Sequence, residues 1–325
     1  MPVVCLGVLS FIGITNSLFM GESIVKVENL SHRYSVQWAI RDINVEITKN
    51  GIYGLLGSNG AGKSTIMNIM CGVLRPTEGN VWIKGISMTE NAVKAKRYIG
   101  FLPQNPPVQM ELTVNEYLSY CAGLRDIPRK EVQKAVDKVM ERCAISHFKK
   151  RVIRNLSGGY RQRVGIAQAI IHNPDFVVLD EPTNGLDPNQ ILEIRRLVKE
   201  IAEERTVMLS THILSEVQAL CDDIRMIEQG RVVFAGTVDE FDNYLAPNSA
   251  IAILMAMPTR NELLKLPGVI KVEELGGPRY RLFFDRSTDA MEQIVETCVN
   301  RGWRLTEINI EKSSLNEVFA ELSKK

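Results

Sequence analysis

The chain has almost no net charge, no paired cysteines and no internal repeats, and these shortages narrow what it can be. Across 325 residues, 39 Lys and Arg stand against 38 Asp and Glu. No global positive field is available to hold a phosphate backbone, so nucleic acid is not expected as a partner. The six cysteines (Cys5, Cys71, Cys121, Cys143, Cys221 and Cys298) are scattered singly. Without a C-x-x-C pair, zinc and thioredoxin-like redox chemistry have no support. Reduced, mostly buried thiols in a cytosolic protein are expected.

Charge is also missing locally. From Met1 to Gly21 there is no charged side chain, and Val3 to Met20 is mostly apolar, a length bordering on a membrane span. A signal peptide would want a basic beginning, which is absent. Gly7, Gly13 and Asn16 weaken a spanning reading. An anchor, a loosely docked tail and a start codon assigned too early are the competing readings. The last is favoured, with Met20 as the working start.

What is present is a globular composition, 45% apolar and 24% charged, on a chain long enough for one large domain and a small one. Ile24–Val27 and Ile43–Ile47 read as short strands by β-branched content, and Gly51–Leu56 as a buried strand. Lys63–Leu74 reads as a helix. Glu78–Asn80 reads as a turn before the strand Val81–Ile83. Thr113 and Glu116 form a capping box, and Pro128 suits the opening of a helix. In that helix Val132, Ala135, Val136, Val139, Met140 and Cys143 recur on one face.

Pro247 marks a break. Beyond it the pattern predicts strand 250–256, helix 259–266, strands 269–275 and 279–285, helix 289–301 and strand 304–311, then a last helix over 314–324. The order βαββαβ suggests a small ferredoxin-like sandwich. The expected division is an apolar extension over 1–23, a main domain over 24–248 and a small α+β domain over 249–325.

The chemistry concentrates in two places. Gly57, Ser58, Asn59, Gly60, Ala61, Gly62, Lys63, Ser64 and Thr65 fit the phosphate-loop pattern between a strand and a helix. Glycines let successive N–H groups curl toward phosphate oxygens, aided by the helix N-terminus. Lys63 offers a full charge to the β- and γ-phosphates, and Ser64 a hydroxyl to Mg²⁺. The second place is Phe176–Leu179, an apolar strand ending in Asp180 and Glu181. Ligands of open α/β sheets sit beyond the carboxyl ends of strands, which puts both acids beside the phosphate loop. Asp180 is the expected magnesium partner, usually through water. Glu181 is the expected base for the attacking water.

Leu156-Ser157-Gly158-Gly159-Tyr160-Arg161-Gln162-Arg163 resembles the signature of ABC transporter nucleotide-binding domains. Ser157 can N-cap a helix whose first N–H groups face an anion. The resemblance implies that Ser157, Gly158 and Gly159 meet the γ-phosphate of ATP held by another subunit. It also implies that Gln104 reaches Mg²⁺ or water, that Asp187 lies on a loop crossing a dimer interface, and that His212 contacts the γ-phosphate. Tyr34 resembles the aromatic that stacks on adenine, although His32 and Trp38 lie close by and could take that role. Tyr160 stands where many members have glutamine. The basic run Lys149–Arg151 with Arg154 reads as a solvated face rather than a contact with a membrane partner.

The resemblance covers about Ile24 to Phe241. It implies a P-loop NTPase of ABC type, with a parallel sheet core, an antiparallel β layer and a helical insertion around 110–165. The implied activity is ATP hydrolysis, with ATP and Mg²⁺ as cofactors. The implied partners are a second copy or a homologous ATPase subunit and a membrane permease, at the cytoplasmic face. The tail around Ser314–Phe319 is similar to C-terminal extensions of the ABC-2 exporter type. A non-transport ABC ATPase acting as a regulatory module is the alternative. A phosphate-loop kinase would lack the signature and His212.

Overall fold

The computed structural model describes residues 23–245, 248–285, 290–311 and 315–323, so the expectations for the first 22 residues lie outside it. In chain order the first half forms β1 (Val25–Tyr34), β2 (Gln37–Ile47), β3 (Gly51–Leu56), α1 (Lys63–Met70), β4 (Glu78–Ile83), β5 (Ile86–Ser87), α2 (Ala92–Lys96), β6 (Ile99–Leu102), α3 (Val114–Leu124) and α4 (Val132–Arg142). There follow α5 (Gly158–Ile170), β7 (Phe176–Asp180), α6 (Pro188–Ala202), β8 (Thr206–Thr211), α7 (Leu214–Leu220), β9 (Asp223–Glu228), β10 (Arg231–Thr237) and α8 (Val238–Asp242). The last stretch forms β11 (Ser249–Leu254), α9 (Arg260–Leu263), β12 (Val269–Glu274), β13 (Arg279–Phe284), α10 (Ala290–Asn300), β14 (Leu305–Glu311) and α11 (Leu315–Leu322).

The chain divides into two compact units. Among the described residues, one comprises those up to Gly51 together with Ser64–Val207; the other comprises Ile52–Lys63 and those from Met208 onward.

In the first unit β1 pairs antiparallel with β2, setting Val25 against Ile47 and Val27 against Val45, all buried. Alternate residues therefore face one core, as period-2 patterning requires. β1 and β2 run well beyond the short strands expected. The terminal extensions carry polar residues such as Arg33 and Gln37, held by the ladder rather than by apolar patterning. Glu78–Asn80 belongs to β4 rather than to a turn. Gly79 has φ +80°, and a Cβ there would lie 2.4 Å from the carbonyl oxygens of Glu28 and Asn29. That glycine marks a bulge against β1, not a chain reversal.

β6 and β7 pair in parallel, Ile99 opposite Phe176 and Leu102 opposite Leu179. All five residues of β7 are buried, as an apolar run between two covered faces should be. α1 ends at Met70, short of the expected Leu74, because Gly72 takes φ +65°. Thr113 caps α3 as expected: its hydroxyl accepts from Glu116 N at 3.3 Å, and its N–H donates to the Glu116 carboxylate at 2.8 Å. α4 opens at Val132 and not at Pro128; Pro128 instead sits in the preceding turn, where its carbonyl accepts from Glu131 N at 2.7 Å. Val136, Val139 and Met140 form its buried face.

In the second unit β3 and β9 are parallel, Leu56 opposite Met226, and β10 returns antiparallel to β9. Asp222 clasps the start of β3, accepting from Ile52 N at 2.8 Å through its carboxylate and donating its own N–H to Ile52 O at 2.8 Å.

The same unit carries a separate antiparallel sheet of order β12-β13-β11-β14. The two central strands, β13 and β11, are not consecutive in the chain, the arrangement of a split βαβ sandwich. Its core holds Ala250, Leu254, Leu263, Leu282, Ile294 and Trp303. On β13, Arg281 donates to both carboxylate oxygens of Glu311 at 2.7 and 3.0 Å and to Glu273 at 3.3 Å.

The five cysteines within the described residues are free and buried.

Candidate functional site

The glycine-rich loop is held by its own backbone and by the turn between β9 and β10. Ala61 N donates to Ser58 O at 3.2 Å, and Gly230 N donates to Ala61 O at 3.0 Å. Gly60 and Gly62 take φ +85° and +109°, values open to glycine and strained for other residues. Gly57 is fixed by space instead: a Cβ there would sit 2.2 Å from the Ile227 carbonyl oxygen. Lys63 is buried and its ammonium donates to Gly57 O at 2.8 Å and Ser58 O at 2.9 Å. The Ser58 hydroxyl lies 3.0 Å from each Glu228 carboxylate oxygen. Sequence reading missed Glu228, because nothing local links the end of β9 to a loop 170 residues earlier. Asn59 is exposed, Ser64 is exposed at the first turn of α1, and Thr65 is half-buried.

In the other unit β7 delivers the two acids. Asp180 is buried at its end, and Glu181 follows with φ 47°, a left-handed turn that ends the strand. Holding a non-glycine residue there costs on the order of 1 kcal/mol. Gln104, exposed after β6, donates through Nε2 to Glu181 Oε2 at 3.1 Å, and Asn184 Nδ2 donates to the same oxygen at 3.2 Å. That bond leaves the Gln104 amide oxygen as a remaining acceptor. Asn184 was not anticipated, although its place three residues after Glu181 was visible. Asp180 also lies close enough to Cys71 to add to burial, the larger cause, in pushing that thiol well above its ordinary range.

Ser157 occupies the N-cap position of α5, but its side chain makes no capping hydrogen bond. The expected capping role is thus corrected: the position is right, and the hydroxyl is not spent on the helix. Ser157 and Gly158 are exposed; Gly159 is buried, and a Cβ on it would meet the Gln190 side chain at 2.5 Å. Asp187, whose role was read only from resemblance, caps α6 by accepting from Gln190 N at 2.9 Å, with Pro188 opening the helix. Asp followed by Pro at the first helical position was the available signal.

Tyr34 lies at the β1–β2 turn, 54% exposed, edge-on to the buried His32 ring at 4.8 Å. Trp38 has the guanidinium groups of Arg33 and Arg41 over its ring at 5.7 and 5.3 Å. Of the three aromatic candidates, Tyr34 presents the freest ring. His212 is exposed just after β8, next to Thr211, whose hydroxyl donates to the buried Glu216 carboxylate at 2.8 Å.

In the basic run, Lys149 pairs with Asp137 at 2.5 Å and Arg154 with Glu111 at 2.9 Å, as a solvated face would.

Residues 40–184 match the family described as ABC transporter. The chain is 38% identical over 213 residues to the bacitracin transport ATP-binding protein BcrA of Bacillus licheniformis, covering 65% of this chain and 69% of that protein. It is 30% identical over 312 residues to the bacitracin transport ATP-binding protein BcrA of Enterococcus faecalis, covering 93% and 96%. Among solved structures, the dimeric ATP-binding cassette MJ0796 in a post-hydrolysis state with ADP and Pi matches with a TM-score of 0.60 at 27% identity, covering 66% of this chain and 98% of that one.

Proposed function

The chain belongs to the ABC transporter family as an ATP-binding subunit that hydrolyses ATP, and from that premise we propose that it drives a separate membrane permease as an exporter motor. Two copies, or this chain and a homologous ATPase subunit, would close on ATP and reopen after hydrolysis. The observation that carries this reading is the signature helix. Ser157 and Gly158 stand exposed at the N-terminus of α5, with the serine hydroxyl left over from capping. A 13-residue helix aligns its first N–H groups and dipole on that point, suited to a phosphate presented by another copy.

The remaining roles follow residue by residue. Gly57 to Thr65 would wrap the phosphates, with Lys63 leaving the Gly57 and Ser58 carbonyls for the nucleotide. Tyr34 would stack on the base. Glu181 would take the proton of the attacking water, oriented by the amide groups of Gln104 and Asn184. His212 would meet the γ-phosphate. Ser64, Asp180 and Gln104 offer one hydroxyl, one carboxylate and one amide oxygen, a hard oxygen set that fits Mg²⁺ shared with nucleotide phosphates, whose chemistry is to neutralise their charge.

We also propose residues 24–248 as the ATPase domain and 249–325 as a small α+β domain, supported by the separate sheet and core of the latter. No helix among the described residues is long and apolar enough to cross a membrane. A position on the cytoplasmic face, held through the permease, is the proposed location.

Lys63→Ala tests the phosphate loop. Losing a charge-assisted contact removes roughly 1.5–3 kcal/mol of nucleotide binding, and turnover should vanish. Near-normal steady-state hydrolysis by the folded variant would overturn the assignment.

A further inference from the structure

Two open clefts lie side by side on the unit that carries the helical insertion, well away in sequence from the glycine-rich loop. The first, about 600 Å³, is lined by Val93, Lys96, Arg97, Leu124, Arg125, Asp126 and His172. The second, about 540 Å³, runs from Arg125 along α4 past Lys134, Lys138 and Arg142 to His172. Arg125, Asp126 and His172 line both.

The walls are unequal in charge. Six cations, Lys96, Arg97, Arg125, Lys134, Lys138 and Arg142, face two carboxylates, Asp126 and Glu131. Asp126 is taken by Arg97 at 3.1 Å, and Arg142 turns to the Glu200 carbonyl at 2.9 Å. The central cation is the unusual one. The Arg125 guanidinium is half-buried, and its one hydrogen bond among the described residues is to the Lys96 carbonyl oxygen at 3.1 Å. No carboxylate among the described residues pairs with it. Desolvation, the largest influence on it, weakens its hold on its proton. A guanidinium that has lost water ordinarily finds a planar anion to fill its fork.

His172 presents the same deficit from the other side. Nε2 bonds the Ile99 carbonyl at 3.0 Å, while Nδ1 is buried with no partner. The ring is held neutral, its pKa pushed down to about 4 by burial and then by the Arg125 charge. An anion beside Arg125 would cancel the second cause and favour a proton on Nδ1, turning an idle acceptor into a donor.

We propose that these joined clefts are a second anion site of the chain, taking a phosphate or phosphate-ester group in the fork of Arg125, with Lys96, Lys134 and Lys138 supplying its field. The rim carries apolar side chains, Val93 at 75% and Leu124 at 65% exposure. A free phosphate would ignore that rim, whereas an anionic phospholipid would set its head group in the fork of Arg125 and lay its acyl chains on the rim.

The test uses the full chain with MgADP in saturating amount, so that the glycine-rich loop is filled. Inorganic phosphate is titrated while the ring carbon–proton resonances of the four histidines are followed by NMR. The expected result is a saturable shift of His172 alone, with its pKa raised in the complex. Arg125→Gln should weaken that response by about tenfold or more. Lys134→Gln with Lys138→Gln should weaken it by a few-fold and keeps the test open if Arg125→Gln does not fold. Sedimentation with phosphatidylglycerol and with phosphatidylcholine vesicles separates the sources. Selective retention on phosphatidylglycerol that Arg125→Gln abolishes assigns a lipid head group. A His172 response without such retention assigns a soluble phosphate. A His172 ring unmoved by tens of millimolar phosphate, with vesicle binding indifferent to Arg125→Gln, overturns the proposal, and an acidic segment of the permease would then be the occupant to seek.

Discussion

Glu181→Gln separates chemistry from assembly. Both hydrogen bonds to this side chain arrive at one oxygen, Oε2, from Gln104 and Asn184. A glutamine carbonyl can accept the same two bonds, so the side chain should keep its place. Neither residue is β-branched, so the left-handed backbone at φ 47° is equally open to both. What changes is the loss of a proton acceptor. General-base catalysis contributes about 10²–10⁴ in rate, which corresponds to about 3–5 kcal/mol on the barrier. Phosphate release should fall by that factor while ATP affinity stays within a few-fold, because the phosphates are held elsewhere. With hydrolysis stalled, ATP and Mg²⁺ should carry the variant from monomer to dimer on a sizing column. Adding Ser157→Arg should abolish that dimer, by placing bulk and charge at the exposed start of α5. Hydrolysis at the wild-type rate would refute the base assignment. An inactive Glu181→Gln that never dimerises would refute the claim that ATP alone closes two copies.

Gly57→Ala puts a methyl group 2.2 Å from the Ile227 carbonyl oxygen; backbone must move, and a loss of about 1–3 kcal/mol in urea unfolding is expected, whereas Gly158→Ala, with open space at its Cβ, should cost far less. His172 is neutral in the fold with its pKa near 4, below the unfolded value of about 6.5. The unfolded chain therefore binds the extra proton first, and stability should fall as pH drops from about 6.5 to about 4, by an amount on the order of 3 kcal/mol. His172→Gln should flatten that part of the urea midpoint against pH; an unchanged slope would refute it. Removing the residues beyond 248 should leave nucleotide binding intact, checked by calorimetry on the folded truncation.

The parts of the site that were legible in the sequence are those fixed by local backbone demands. A loop that must turn N–H groups inward writes glycines at set intervals, and a buried strand ending in acids writes an apolar run before Asp180. The parts that were not legible depend on what distant chain brings up. Glu228 reaches Ser58, and Gln190 lies against Gly159, through packing that no spacing encodes. Ser157 followed the rule for an N-cap by residue type, yet its hydroxyl is not used that way. Gly79 read as a turn because glycine serves both turns and bulges, and only the neighbouring strand decides between them. The C-terminal sandwich was readable in order because each strand and helix is short and separately patterned, although α9, Arg260–Leu263, is shorter than the helix expected over 259–266.

The contact between Gly159 and Gln190 has a mechanical meaning. Gln190 lies in the first turn of α6, the turn that Asp187 caps. Gly159 lies in the first turn of α5 and has no side chain to cushion the approach. The two surfaces proposed to face another copy, the start of α5 and the loop at Asp187, are thus keyed together within one subunit. A displacement of either bears on the other through the Gln190 side chain that lies against Gly159. News that a partner's nucleotide has arrived at α5 would reach the segment after Glu181 as a displacement, over a path one side chain long.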